Sequence, residues 1–366
     1  MMPARYLKLL ALLWAIAIPL RAQEQEGAFY GLLRSRDLSP FGFLRLDMRP
    51  AHAVNIEPGT WAFETELDYQ NTWALSEETE AYLIGLEPSG RRRLGPTEAQ
   101  AIRDLPGENY LLDLELATLG FTAHYKLSPR WTVYGILSAV SYGGGFLDST
   151  IESFHDTFGF STFGRPAAAR NQSILIYDLK GAQVTLFDAP TDGGLLDPVL
   201  GFRYTGVQFS PIWRLTLEGA VKIPWQGKEL LLSTGRTDYG LQAALQRTGI
   251  RHGFYINAAA VYYAGVTEPA QQDSQVIPTL IVGYEFKWTR NTNLNIQGYA
   301  STSVYSHDQT DLDELVGNKY QYSIGLRHRI ENWLLTVGFT ENVQNINNTP
   351  DVGLQLAVAW IPHRAP

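Results

Sequence analysis

The side chains best suited to acid–base or metal chemistry lie in the segment Gly143–Phe160, GGGFLDSTIESFHDTFGF. Its apolar residues recur at helical spacing, so we predict a short outer-loop helix that carries Asp148, Glu152, His155 and Asp156. Glu152 and Asp156 are four residues apart and would share a helix face, whereas His155 is adjacent to Asp156 and points elsewhere. A polar helix face is therefore favoured over a metal or acid–base site, and we predict no metal ligand and no catalytic residue.

A second candidate base is His124, which lies in a stretch where polar and apolar residues alternate. Outer-membrane lipases need a serine and a histidine near the outer rim of the lipid-facing wall. His124 is predicted to face inward, and no serine is marked by its spacing as a partner. We therefore expect a protein that is not an enzyme, with a lipid-modifying enzyme as the least favoured alternative.

Charged residues form rows on one face of the predicted strands. Opposed acidic and basic rows could impose a transverse field that orients a polar or zwitterionic solute, as charged rings do in channels. They could instead form salt bridges that fill a narrow lumen and close it. The lumen-lining candidates are Glu64, Glu66, Asp68, Asp113, Glu115, Arg214, Lys222, Glu285, Arg327 and Arg329.

The N-terminal segment, residues 27–59, contains a further group of charges before the first clear strand. Arg34, Arg36 and Asp37 lie close together in GLLRSRDLSP. Two interpretations stay open: a plug inside or below the barrel, for which these three residues are the candidates, or a periplasmic lead-in with scattered charges.

Alternation with a period of two defines the elements that would position these charges. From Val276 to Trp288, every second residue is apolar, while Thr279, Gly283 and Glu285 fall on the other face. A strand with this pattern places one face in an apolar and the other in a polar environment. In a soluble sandwich the apolar face would meet a protein core, whereas in an outer membrane it would meet lipid.

Strand number and loop length favour lipid. We predict about twelve strands between residues 60 and 361, joined alternately by long loops and by short turns such as Ser128-Pro129 and Ser210-Pro211. Single-chain bacterial barrels have an even number of strands, with short periplasmic turns and long outer loops. If the predicted hairpin at Ile174–Phe187 joins the wall, the number rises to fourteen.

The composition agrees with a barrel in a membrane. The 366 residues include no cysteine, which excludes disulfides, thiolate metal sites and a lipid-anchored lipoprotein. Only 18% of the residues are charged, below the roughly 25% usual for soluble domains. After the N-terminal region no run approaches 18 apolar residues, so helical membrane spans are not expected.

Residues 1–22 have the pattern of a secretory signal peptide: a basic start followed by an apolar run from Leu9 to Leu20, which is too short to span a bilayer. Its cleavage would remove Arg5, Lys8 and Arg21 and change the formal net charge from −8 to −11. An acidic exterior argues against nucleic acid as a partner. We expect location in the cell outer membrane, with outer-membrane lipid, the barrel assembly machinery and a small-molecule solute as partners, and no cofactor.

Four blocks carry a resemblance to a known family: GLLRSRDLSP, GGGFLDSTIESFHDTFGF, GGLLDPVLGFRY and NNTPDVGLQLAVAW. Together they are similar to an uncharacterised family of Gram-negative outer-membrane proteins, catalogued as a domain of unknown function. The resemblance spans about Gly27 to Trp360 and implies an outer-membrane barrel, without an assigned reaction or ligand.

The sequence thus predicts an all-β fold, a closed antiparallel transmembrane barrel. A barrel of eight strands has a lumen filled by its own side chains, and a channel opens at about sixteen strands. A barrel of twelve strands lies between these two cases. We favour a passive channel for a small solute over a non-conducting structural or partner-binding barrel. The reason is a row of small residues expected to keep the inner wall thin: Gly240, Ala244, Gly283, Gly325 and Gly353.

Overall fold

The computed structural model describes residues 28–39, 42–51, 56–180, 182–187, 193–264, 274–344 and 346–362. The predicted signal peptide, residues 1–22, lies outside these described residues. Within them, no helix is both long enough and apolar enough to cross a bilayer.

Twelve antiparallel strands close into a barrel. The first wall strand pairs with the last in a register that runs from Phe63 opposite Trp360 to Asn71 opposite Val352. Closure pairs the backbone groups that an open sheet edge would expose to hydrocarbon. The wall strands are β1 (Trp61–Leu75), β2 (Asn109–Lys126), β3 (Trp131–Gly143), β7 (Val199–Gln208), β8 (Trp213–Lys222), β9 (Asp238–Thr248), β10 (His252–Tyr263), β11 (Gln275–Lys287), β12 (Thr292–Ser301), β13 (Lys319–Ile330), β14 (Trp333–Gln344) and β15 (Val352–Trp360). Three short strands between β3 and β7 do not belong to the wall: β4 (Ile174–Leu179), β5 (Ala182–Phe187) and β6 (Gly194–Leu195).

The outward-facing side chains form an apolar belt, as the alternation predicted. Leu241, Val276 and Val337 are 69%, 61% and 57% exposed, and Leu280 is 46% exposed. Exposing apolar surface to water costs roughly 25 cal/mol per Å², so a belt of this kind suits hydrocarbon. The prediction of a transmembrane barrel is confirmed.

The hairpin β4–β5 does not add strands to the wall. It pairs with Asn109–Asp113 at the start of β2 and continues the wall above the end of β3. The wall therefore has twelve strands, and the alternative of fourteen is wrong.

Four α-helices lie in the long loops of the described chain: α1 (Glu77–Leu86), α2 (Pro96–Arg103), α3 (Asp148–Phe158) and α4 (Asp313–Val316). The predicted outer-loop helix is α3, and the other three were not predicted. In α1, only Thr79 and Leu83 are buried, so its sequence has no apolar stripe that would reveal the helix. The described loops also contain three 3-10 turns: Glu87–Ser89, Arg165–Ala167 and Ile346–Asn348.

Beyond the belt, the long-loop end of the wall has an apolar cluster on each face. On the lumen side, Leu112 and Leu114 of β2 share a cluster with Phe43 of the N-terminal segment. On the outer side, Trp73 of β1 clusters with Ile102 of α2. These two clusters fix the loops and the N-terminal segment to the barrel.

Candidate functional site

The N-terminal segment fills the lumen as a strap that runs up and back down. Phe29 lies against Gly253 at the short-turn end of β10, and Gly42 lies against Val304, beyond the long-loop end of β12. On the way back, the Ala51 N–H donates to Asn257 within β10, 3.0 Å away. We call residues 28–39 the ascending arm and residues 45–51 the descending arm.

Two buried wall charges hold the start of the ascending arm by its main chain. Glu285 accepts the N–H groups of Tyr30 and Gly31, at 2.7 and 3.0 Å. Arg327 donates to the carbonyl oxygens of Tyr30, Gly31 and Leu32, at 2.5, 3.3 and 3.1 Å. Hydrogen bonds to charged groups are among the stronger ones in proteins, so this part of the strap is firmly attached.

Polar contacts continue along the ascending arm. Gln297 accepts the N–H of Leu33 at 2.9 Å. Asp37 is fully buried and pairs with Lys319 of the wall at 2.8 Å and with Arg45 of the strap at 3.2 Å. Asp37, one of the plug candidates, therefore joins both arms to the wall.

The descending arm meets the wall through a second set of charges. Arg49 pairs with Glu66 at 3.1 Å. The N–H of Leu46 donates to Asp238 at 2.9 Å, and Asp238 is itself paired with Lys222 at 2.8 Å. Lys222, one of the lumen-lining candidates, thus lies beside the strap, and its charge is compensated within the wall.

The acidic row of β1 finds its countercharges on the strap. Glu64 lies 3.9 Å from Arg34, and Glu66 pairs with Arg49. Asp68 accepts hydrogen bonds from wall side chains, including Gln355 at 3.0 Å. The predicted rows therefore do not face each other across open space, because the strap lies between them.

The small residues of the inner wall are sockets for the strap. A Cβ at Gly283 would lie 2.4 Å from a Leu32 methyl carbon, and one at Gly240 would lie 2.5 Å from the Met48 sulfur. At Gly325 the nearest atom is the Val337 carbonyl oxygen of the adjacent strand, at 2.5 Å, and a Leu33 methyl carbon of the strap lies 3.0 Å away, whereas Gly353 faces Gln70 of the wall. The expectation that these residues keep a lumen open is wrong, since the space they leave is occupied.

The described residues enclose two narrow cavities beside the strap, each of about 40 Å³. One follows the descending arm along the wall as far as Leu196, near the long loops. The other lies nearer the short turns and is lined by His124 and Arg203; Arg34 lines both. Ligand pockets for organic molecules occupy about 300 Å³ or more, so the described state admits only water-sized species.

Asp113 and Glu115 face away from the lumen, which corrects their assignment as lumen-lining residues. In the β1–β2 register, Asn71 is opposite Glu115 and Trp73 is opposite Asp113, on the same face as lipid-facing Leu67. Both acids are buried because the loop after β3 covers this outer face. Alternation along β2 places Asp113 and Glu115 on the same face as Leu119. They were assigned to the lumen face because they are charged, and this assignment is wrong.

Glu115 and Asp148 anchor the covering loop. Glu115 accepts the N–H groups of Phe146 and Leu147 at 3.0 and 2.7 Å. Asp148 pairs with Arg165 at 2.8 Å, and the Arg165 guanidinium lies 5.0 Å from the centre of the Trp73 ring. These contacts hold the start of α3 against the outside of the barrel wall.

The other polar residues of α3 do not converge on one site. Glu152 is paired with Arg91 at 2.7 Å and with Arg170 at 2.5 Å. Burial acts to raise the pKa of the Glu152 carboxyl, but the hydrogen bonds from Arg170 and Arg91 outweigh it and lower this pKa below its usual value. His155 contacts the carbonyl oxygen of Ser161, and Asp156 is exposed.

Among the described residues, no group of three His, Asp or Glu side chains is arranged to hold a metal ion. Arg214 and Arg329 lie at the short-turn rim: Arg214 is exposed, and Arg329 donates to the carbonyl oxygens of Glu331 and Ile361. Arg36, a plug candidate, lines the cavity beside the descending arm.

Sequence reasoning missed several residues that hold the strap. Asp238, Asn257 and Gln297 contact its main chain, and Arg45 pairs with Asp37. The wall residues among them lie on the polar face of predicted strands, so alternation could have marked them as inward, although not as strap contacts.

Solved structures of the same architecture include an outer membrane channel from Pseudomonas putida F1, with 12% identity, a TM-score of 0.51, and coverage of 86% of this chain and 99% of that chain. The translocator domain of the autotransporter NalP from Neisseria meningitidis has 9% identity, coverage of 83% and 89%, and a TM-score of 0.39. The Ralstonia pickettii toluene transporter TbuX has 11% identity, coverage of 84% and 90%, and a TM-score of 0.41. At such identities, the likeness to the Pseudomonas putida channel shows the fold alone.

No curated protein matches the chain. Residues 106–360, more than half of the sequence, match a family described as a protein of unknown function, DUF3187. The resemblance to an uncharacterised outer-membrane family is thereby confirmed, and the chain belongs to the DUF3187 family.

Proposed function

We propose that the protein is a passive outer-membrane channel for a small solute and that the descending arm of the strap is its gate. The observation that carries this proposal is a narrow cavity along that arm, which shares Arg34 with a second cavity nearer the short turns, so that the two together define a path. The Pseudomonas putida protein of the same fold is described as an outer membrane channel, which agrees with a conducting role. Export by the predicted signal peptide and insertion by the barrel assembly machinery belong to the same proposal.

The charge of the path favours small anions. Its lining in the described chain has seven Lys or Arg residues and four Asp or Glu residues. Three of the basic groups have acidic partners set back from the lining, Asp37 for Arg45, Glu66 for Arg49 and Asp238 for Lys222, so the excess is one of the cavity surface. Positive groups at the surface of a narrow pore attract anions and repel cations. The basic residues are Arg34, Arg36, Arg45, Arg49, Arg203, Lys222 and Arg327, and the acidic residues are Asp47, Glu64, Asp197 and Glu218.

Because each cavity holds little more than a water molecule, conduction requires the descending arm to move away from the wall. Met48 and Leu46 occupy the socket at Gly240. The Met48 sulfur lies 2.5 Å and a Leu46 methyl carbon 3.0 Å from the Cβ position of Gly240. A link at this socket would therefore hold the gate shut.

The chain has no cysteine, so an introduced pair can form only one intramolecular disulfide, the intended one. The Cγ of Met48 lies 3.0 Å from the Cβ position of Gly240, within reach of a disulfide in the variant Met48→Cys/Gly240→Cys. In planar bilayers, the wild type is expected to give current steps, and a salt gradient should give a reversal potential that indicates anion preference. The oxidised variant should lose the steps, and reduction should restore them.

The single variants Met48→Cys and Gly240→Cys, treated with the same oxidant, control for effects of the substitutions themselves. An oxidised double variant that conducts like the wild type would show that the descending arm is not the gate. A cation-selective reversal potential would contradict the solute class.

A second candidate function is a non-conducting structural or partner-binding barrel. The firm hold of Glu285 and Arg327 on the ascending arm favours it, since these contacts keep the lumen filled. It predicts no current steps from the wild type or from the reduced double variant. The lipid-modifying alternative has no supporting observation, because His124 lines a lumen cavity and does not face lipid.

A further inference from the structure

Helix α3 and the residues just after it carry an exposed aromatic cluster that the lumen does not explain. Phe154, Phe158 and Phe160 are 44%, 54% and 40% exposed. Their ring centroids lie 4.7, 5.8 and 6.3 Å apart, so they form one contiguous surface. A contiguous exposed apolar patch of this kind usually marks an interaction surface.

The start of α3 lies at the upper edge of the lipid-facing belt. Phe146, two residues before the helix, is stacked on Tyr69 with ring centroids 5.0 Å apart. Tyr69 is the next outward-facing residue of β1 after Leu67, which is exposed in the belt. From Trp61 to Tyr69, a tilted strand rises by about 20 Å, comparable to the roughly 25 Å apolar band of outer-membrane barrels.

The apolar face of α3 begins on the barrel wall and continues past it. Leu147 and Ile151 are 8% and 7% exposed, whereas Phe154 and Phe158, which follow at helical spacing on the same face, are largely exposed. Glu115 and Asp148 fix the first turn, so the direction of this face is set by the wall. The exposed aromatics are therefore a continuation of the lipid-facing surface.

We propose that the aromatic face of α3 lies in the outer leaflet of the outer membrane and anchors the loop layer to lipid. Continuity with the belt through Tyr69 and Phe146 identifies lipid as the occupant. The polar residue Glu152 is engaged by Arg91 and Arg170 of the loop layer, which leaves the aromatic face for the acyl boundary. Phe is a usual residue on the apolar face of helices that lie in this boundary. The proposal requires the outer membrane but not conduction.

The absence of cysteine allows a single spin label to report the environment of this face. The variant Phe158→Cys is spin-labelled and reconstituted in phospholipid bilayers. The accessibility of its label is measured to oxygen, which partitions into lipid, and to a water-soluble nickel complex. Leu241→Cys, at a position 69% exposed in the belt, gives the lipid reference. Asp156→Cys gives the aqueous reference, because two residues along a helix turn the side chain by about 160°.

The label at Phe158 is expected to show an oxygen-to-nickel accessibility ratio nearer to that of the Leu241 label than to that of the Asp156 label. A ratio like that of Asp156 would place the face in water and overturn the proposal. Low accessibility to both reagents would mean that protein covers the face, which also overturns it. Phe154→Cys repeats the measurement if the Phe158 variant does not fold.

Discussion

The two arms of the strap are attached to the same barrel in different ways. On the ascending arm, Glu285 receives four hydrogen bonds, from the N–H groups of Tyr30 and Gly31 and the side chains of Tyr255 and Asn293. On the descending arm, most wall groups contact one strap residue, as Asp238 contacts Leu46, whereas the Tyr299 hydroxyl contacts both Arg45 and Asp47. One cavity is lined by every residue of the strap from 43 to 49, and from the ascending arm only by Arg34 and Arg36.

This difference shows how one segment can both close a pore and remain attached when the pore opens. Buried hydrogen bonds to charged groups contribute roughly 1.5–3 kcal/mol each, so the contacts shared around Glu285 and Arg327 make displacement of the ascending arm costly. The descending arm has fewer shared contacts and open space beside it. Movement confined to that arm would widen the path while the strap stays in the lumen.

The largest expected effect comes from breaking the ascending attachment with Glu285→Ala. The substitution leaves the N–H groups of Tyr30 and Gly31 without their acceptor in a buried site. We expect the free energy of unfolding to fall by about 3–5 kcal/mol, as when one partner of a buried charged contact is removed. Urea unfolding in lipid vesicles, followed by tryptophan fluorescence, measures this change.

The matched variant is Glu66→Ala, which removes the partner of Arg49 on the descending arm. Because neither carboxylate oxygen of Glu66 accepts a hydrogen bond in the described chain, we expect a smaller loss of stability than in Glu285→Ala, about 1–3 kcal/mol, together with more frequent channel openings. Equal losses in the two variants would contradict the division into a fixed and a movable arm.

How much of this the sequence predicts depends on whether a feature is local. Alternation along single strands identified the wall and the outward direction of Leu280 and Val337. The contact between Tyr30 and Glu285 joins residues 255 positions apart, and nothing in either local pattern indicates it. The sequence could offer a plug as one of two interpretations, but it could not place the plug against particular strands.

The outer layer shows a different limit. The alternation of β2 was sufficient to place Asp113 and Glu115 outside, beside Leu119, but two acids on a lipid-facing row have a physical explanation only once the covering loop is known. That loop supplies the Phe146 and Leu147 N–H groups that Glu115 accepts. A charge on the apolar face of a predicted barrel strand is thus a signal of a covering segment.

A second prediction sharpens the comparison through the glycine sockets. In Gly283→Val, the new side chain overlaps Leu32, whose nearest methyl carbon is 2.4 Å from the Cβ position. We expect the ascending arm to shift, with a loss of about 1–3 kcal/mol in stability and a measurable rise in conductance.

The control is Gly298→Val on the neighbouring strand, where nothing lies within 4 Å of the Cβ position and the residue faces outward. This variant should keep the melting temperature and the conductance of the wild type. If the two variants behave alike, the socket does not hold the strap, and the change reflects only the strand preference of valine.

The smallest effect is visible without substitution, in the hydrogen exchange of the two arms. The amides of Tyr30 and Leu33 are accepted by Glu285 and Gln297, and those of Leu46 and Ala51 by Asp238 and Asn257, so all four are protected when the strap is seated. Exchange then reports opening of each arm. If the descending arm opens alone, Leu46 and Ala51 exchange faster by about tenfold or more, since a difference of 1.4 kcal/mol is tenfold. Mass spectrometry of the protein in lipid vesicles measures the exchange rates. Equal rates in both arms would mean that the strap moves as one unit. The gate would then be the whole segment and not its descending arm.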